Sequence, residues 1–133
     1  MTGFISFLLF LVLPLCLLST ATADEHNEHR LPFVQVINAL PKNSKPMQVS
    51  CSTKNIDVGK RSLVNGEVFK WRAAQRKLHS CGALWERLFA SWHAFQPRRD
   101  EDHETVYWMV KEDGFFISWD KANWVRKYRW ETE

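Results

Sequence analysis

Beyond residue 30 the chain alternates apolar and polar positions in short stretches, most of them closed by Pro, Gly, Asn or Asp. Phe33-Val34-Gln35-Val36-Ile37 is β-branched and aromatic, and its run ends at Pro41, which predicts a first strand with a proline-marked exit. Residues 42–46 read as a turn. Met47, Val49 and Cys51 then alternate with Gln48, Ser50 and Ser52, the period of two of a half-buried strand. Asp57-Val58-Gly59 punctuates the chain, and Asn65-Gly66 marks a turn before Val68-Phe69-Lys70-Trp71. Residues 78–85 and 88–95 are apolar, aromatic runs, and the charged stretch 98–104 divides them from the last third.

The strongest local signal is Asp113-Gly114 between residues 106–111 and 115–120, which predicts a β-hairpin. With those two residues as the turn, Val110 faces Ile117 and Trp108 faces Trp119, all four on one face, while Met109, Lys111, Phe116 and Ser118 share the other. The final run, 124–130, sorts Trp124, Tyr128 and Trp130 from Lys127 and Arg129 if it is a strand; the spacing of Trp124 and Tyr128 also suits a helix. No sustained helical periodicity, internal repeat or low-complexity linker occurs elsewhere. Many short strands with regular turns predict an all-β sandwich or barrel.

The first residues bear on destination. Residues 4–18 are almost wholly apolar, and Ala21-Thr22-Ala23 has the A-x-A pattern that precedes signal cleavage. At about 15 residues the run falls short of the roughly 20 that span a bilayer. The expected organisation is a signal peptide over 1–23, a polar tail over 24–31 and one domain over 32–133, delivered outside the cell. Every Lys, Arg, Asp and Glu lies beyond Ala23, so the mature chain keeps the formal net charge of +3, too mild for a nucleic-acid binder. Cys16 leaves with the signal, and Cys51 and Cys81 remain. In an oxidising compartment a lone pair of cysteines usually pairs, which predicts a Cys51–Cys81 disulfide; two free buried thiols are the alternative.

The ordered set of motifs resembles a known family. Phe33-Val34-Gln35-Val36-Ile37-Asn38 with Leu40, Val49-Ser50-Cys51-Ser52-Thr53-Lys54 and Asp57-Val58-Gly59 are similar to the opening of the plant self-incompatibility protein homologues, the S-protein homologues. The similarity continues through residues 66–71, Cys81, residues 92–95, Arg98-Arg99-Asp100, residues 107–116 and Tyr128-Arg129-Trp130. The resemblance implies a small antiparallel β-sandwich of about eight strands and a secreted, non-enzymatic role as an extracellular ligand, with a cell-surface protein as receptor. In the poppy founding members that role is a pistil signal sensed by a pollen membrane protein. The family usually carries four cysteines, the last two as C-x-x-C ahead of the Trp that matches Trp108. His103 and Val106 stand there instead, so one disulfide is missing. If the family joins early cysteines to late ones, Cys51 and Cys81 are not natural partners.

Candidate chemistry is thin. There is no G-x-S-x-G elbow, no phosphate-cradling glycine loop and no H-E-x-x-H helix. His79, His93 and His103 are scattered singly, without the paired spacing that acid–base work in a ribonuclease requires. His93, between Phe89 and Phe95 at strand spacing, reads as a satisfied sheet histidine. No cofactor is expected. The acidic residues Asp100, Glu101, Asp102 and Glu104 lack the ordered spacing of a calcium loop. With Arg98, Arg99 and His103 they read as a solvated recognition loop. Cleavage after Ala23 would expose Asp24-Glu25-His26, an amine, two amides and an imidazole suited to square-planar Cu(II) or Ni(II), with His29 near. Most of the seven Trp belong in a core. Lys127 and Arg129, beside Trp124, Tyr128 and Trp130, offer contact with an anionic surface. Residues 54–65 and 96–104 are the expected contact loops of a signalling ligand. A defence protein acting on microbial membranes or on a foreign enzyme is the alternative. No N-x-S/T acceptor for glycosylation occurs.

Overall fold

Alternation in the first run produces a strand directly: β1 (Phe33–Asn38) buries every second residue. A computed structural model describes residues 30–132; the expected leader and cleavage site and the Asp24-Glu25-His26 set lie outside the described residues. After β1 come β2 (Met47–Thr53), β3 (Ile56–Leu63), β4 (Val68–Arg72), β5 (His79–Trp85), β6 (Leu88–Phe95), the one-turn helix α1 (Pro97–Asp100), β7 (Thr105–Lys111), β8 (Gly114–Ser118) and β9 (Val125–Tyr128). They form two sheets, ordered β4-β1-β7-β8-β9 and β3-β2-β5-β6.

Nine strands are thus present among the described residues, one more than the eight implied, and the pairing is not purely antiparallel. β1 and β7 run parallel, Phe33 opposite Thr105 and Asn38 opposite Val110. Parallel neighbours need a long crossover. The chain supplies one, because it builds the whole second sheet before β7 returns beside β1.

The inner faces close on an aromatic core. Val34, Val36, Phe69, Trp108, Val110, Phe115 and Ile117 from one sheet meet Met47, Val49, Ala83, Trp85, Ala90 and Trp92 from the other. Trp92 bridges the layers, 4.6 Å from Phe115 and 6.1 Å from Trp108 between ring centroids. Trp108 is fully buried, and its indole N–H donates to the Ala94 carbonyl at 2.8 Å, which satisfies the one polar atom it brings inside. Asn38, also buried, donates to the Leu63 carbonyl and accepts from the Leu40 amide, each at 2.8 Å. Cys51 and Cys81 sit directly opposite on β2 and β5 and are bonded, Cα to Cα 4.1 Å. Closing about 30 residues, the bridge contributes roughly 3–4 kcal/mol in the chain-entropy treatment.

Four expectations need correction. Residues 54–65 are not a contact loop: Lys54 and Asn55 turn, both at positive φ, β3 occupies 56–63, and Val64 and Asn65 lead into the next turn. The strand escaped notice because it is the sheet's edge, paired only with β2 and burying only Leu63 fully, so its side chains carry no period of two. The hairpin forms with its faces sorted as expected, but Val110 faces Phe115 and Trp108 faces Ile117, two residues from the expected register. Its turn is Glu112-Asp113, neither at positive φ. Gly114 instead opens β8 at φ 143°, where a Cβ would strike the Tyr128 carbonyl oxygen. The glycine serves the approach of β9, not the turn. His93 is exposed while Phe95 is buried, because a bulge opposite His79 and Ser80 admits Ala94 as an extra residue and turns Phe95 inward. Lastly, a helical turn interrupts 96–104.

Candidate functional site

Strand directions place four connections at one end of the sandwich. These are the Lys54-Asn55 turn, residues 73–78, residues 96–104 and residues 119–124. The Thr53 hydroxyl donates to the Leu78 carbonyl at 2.9 Å and ties the first two together. The longest, 96–104, is built around a buried carboxylate. Pro97 starts α1 with the fixed φ that suits a first helical position. The turn carries Asp100 inward, where it is fully buried.

Four donors meet that carboxylate. Arg99 grips it with two parallel bonds, Nε to Oδ1 and Nη2 to Oδ2, each 2.7 Å. The Gln96 amide donates to Oδ2 at 2.8 Å, and the Trp119 indole donates to Oδ1 at 3.1 Å. Arg99 Nη2 also donates to the His93 carbonyl at 3.0 Å, and its guanidinium lies 5.3 Å from the Trp108 ring centroid. Loop, helical turn, β6 and the segment after β8 are therefore joined through one ion pair. His103 stacks on Trp119, centroids 4.9 Å apart and planes at 21°. Arg98, Glu101, Asp102, His103 and Glu104 remain exposed on this anchored base.

The predicted loop thus divides. Asp100 and most of Arg99 are the anchor, and the other five residues are the presented surface. Sequence reasoning grouped Asp100 with the solvated acids. The available signal was Pro97, which starts a turn that sends the fourth residue inward. The neighbouring connection was also missed. Asp120 accepts from the Asn123 and Ala122 amides, the Asn123 side chain and the Ser118 hydroxyl. Those bonds, the Asn123 amide foremost, hold its carboxyl well below the ordinary carboxylate range. The spacing Ser118-x-Asp120-x-x-Asn123 was the sequence cue.

The remaining candidates are dispersed. His79 is buried in β5, His93 is exposed with Gln96 3.4 Å from its Nδ1, and His103 lies on Trp119. Among the described residues no three His, Cys, Asp or Glu side chains converge to hold a metal. Val106 is a fully buried β7 residue. Lys127 and Arg129 are exposed, whereas Tyr128 packs on Trp108 and the Trp130 indole donates to the Lys111 carbonyl at 2.8 Å.

These features define a class: a two-sheet, disulfide-bonded β-sandwich with one braced loop end. The chain belongs to the family described as Plant self-incompatibility protein S1, whose family model matches residues 33–130. S-protein homolog 29 of Arabidopsis thaliana is 25% identical over 105 residues, covering 73% of this chain and 76% of that protein. A solved structure, described as of SPH (Self-Incompatibility Protein Homologue) proteins, a widespread family of small, highly stable, secreted proteins from plants, shares the fold. Its TM-score is 0.60 at 16% identity, covering 79% of this chain and 98% of that one.

Proposed function

We propose that this chain is a secreted, non-enzymatic plant protein acting outside the cell as a ligand or modulator in cell–cell recognition. It meets a cell-surface protein through the loop end that residues 96–104 dominate. The observation that carries this reading is the buried Arg99–Asp100 pair, which braces an exposed, mostly acidic tip against the core. A surface held in one geometry loses less freedom when a partner docks, which favours recognition. The apolar leader and the family's secreted members support the extracellular setting. The dispersal of the histidines supports a role without catalysis.

Fluorescently labelled mature protein, titrated onto plant protoplasts, tests the reading. Saturable, protease-sensitive binding is expected. The variant E101Q/D102N/E104Q, with unchanged circular dichroism, should weaken it by about tenfold, equivalent to 1.4 kcal/mol. Binding that neither saturates nor responds to protease, together with inhibition of microbial growth, would replace this function with a defensive one.

A further inference from the structure

The outward face of the larger sheet has a composition that neither the core nor the loop end requires. Cross-strand register lays its residues in rows. Val68, Ile37, Met109, Phe116 and Arg126 form one row, and Lys70, Gln35 and Tyr107 form the next. Phe33, Ile37, Tyr107, Met109 and Phe116 are half-buried, and Val68 is exposed. Cations stand over the rings. Lys70 Nζ and the Arg72 guanidinium lie 4.3 and 3.9 Å from the Phe33 centroid, Lys111 Nζ lies 5.3 Å from Phe116, and Lys121 Nζ lies 5.0 Å from Tyr107.

None of these cations has a carboxylate within ion-pair distance among the described residues, where the one ion pair is Arg99–Asp100. The rings hold the charges in place, each contact contributing about 0.5–1 kcal/mol, without neutralising them. The face is a fixed positive array awaiting negative charge.

We infer that this face binds a linear acidic polysaccharide whose sugars carry carboxylates. Cations stand on both flanks of the sheet. Lys70 and Arg72 on β4 are two strands from Lys111 on β7 and four from Arg126 on β9, about 10 and 19 Å at ordinary strand spacing. A single small anion does not reach across; a polymer with recurrent charge does. Between the flanks lie the aliphatic surfaces of Ile37 and Met109, the Gln35 amide and the Tyr107 phenol, which suit the C–H faces and hydroxyls of sugar rings. A bilayer fits poorly, because of the apolar residues in these rows only Val68 is exposed, at 45%, and the others are half-buried, which offers little apolar surface to enter it. A single-stranded nucleic acid needs open aromatic faces for its bases, and here cations cover the rings. The site is separate from the loop tip and does not rest on the receptor reading.

The test is affinity gel electrophoresis of the full mature protein in polygalacturonate. Parallel arms use its methyl ester, phosphatidylserine vesicles and a thymidine oligonucleotide. Wild type should be retarded by polygalacturonate and not by the ester. K70E/R72E and, independently, K111E/R126E should each weaken binding by about tenfold or more, while K42E/K45E, with the same change in net charge, changes it by less than about threefold. Thermal melts identify any variant that fails to fold, and the other pair then decides. Equal loss in K42E/K45E, equal binding of the ester, tighter binding of vesicles or oligonucleotide, or no retardation at all would overturn the inference.

Discussion

Replacing Asp100 with Ala should destabilise the protein more than any other single change in the loop end. The substitution removes both oxygens that receive Arg99, Gln96 and Trp119, leaving four donor contacts without an acceptor. It also leaves the Arg99 guanidinium, its side chain only 16% exposed, without a counter-charge. Breaking a buried, hydrogen-bonded ion pair from one side costs about 3–5 kcal/mol. For a domain of this size each kcal/mol moves the melting temperature by about 4–8 °C, so a fall of roughly 12 °C or more is expected. Calorimetry of the mature protein measures it, and Asp102→Ala, at an exposed position two residues away, should stay within about 0.5 kcal/mol. Arg99→Met/Asp100→Leu should recover part of the loss, because removing both charges removes the unpaired one. A D100A protein melting within about 4 °C of wild type, less than the shift for 1 kcal/mol, would refute the anchoring role.

Three further changes probe the frame. Gly114→Ala should cost at least about 1–3 kcal/mol by chemical denaturation, since positive φ and the Tyr128 carbonyl both oppose a Cβ. Gly82→Ala, at an unstrained position with room for the methyl, should be neutral or stabilising by about 0.4–1 kcal/mol. Reducing Cys51–Cys81 should lower stability by roughly 3–4 kcal/mol, read as a shifted denaturation midpoint with and without reductant. His79 introduces a pH dependence. Burial holds its imidazole below the ordinary 6.5 despite an opposing bond between Nδ1 and the Lys77 carbonyl. The unfolded chain therefore takes up this proton more readily, so stability contributed by neutral His79 is complete above pH 6.5 and declines as pH falls toward the lower folded value. Urea midpoints between pH 7.5 and 5 should fall more steeply for wild type than for His79→Gln, and parallel slopes would contradict this.

Much of this was legible in the chain because a sheet buried on one face writes itself as alternation. Val34 and Val36, Met47 to Cys51, and the pairing of a Trp108 strand with an Ile117 strand all followed from period two. Elements that bury little on their own, such as β3, left no such trace. Register was harder than pairing: Asp113-Gly114 suited a primed turn, yet Gly114 answers to β9, a neighbour that local sequence does not identify. The anchor was obscure for a similar reason. Asp100 sits among solvated acids in the sequence, and only the fold brings Trp119, nineteen residues on, to its carboxylate. The basic aromatic face was hidden too, since Lys70, Lys111 and Arg126 belong to three strands that topology gathers into one sheet.

A photo-crosslinking amino acid in place of Asp102, compared with the same group in place of Lys42 at the far end of the sandwich, tests most directly whether recognition resides in the braced loop end. Irradiation on plasma membranes should give a discrete protein adduct from position 102, competed by unlabelled wild type, and none from position 42. Adducts from position 42 alone, or equal yields from both, would contradict it.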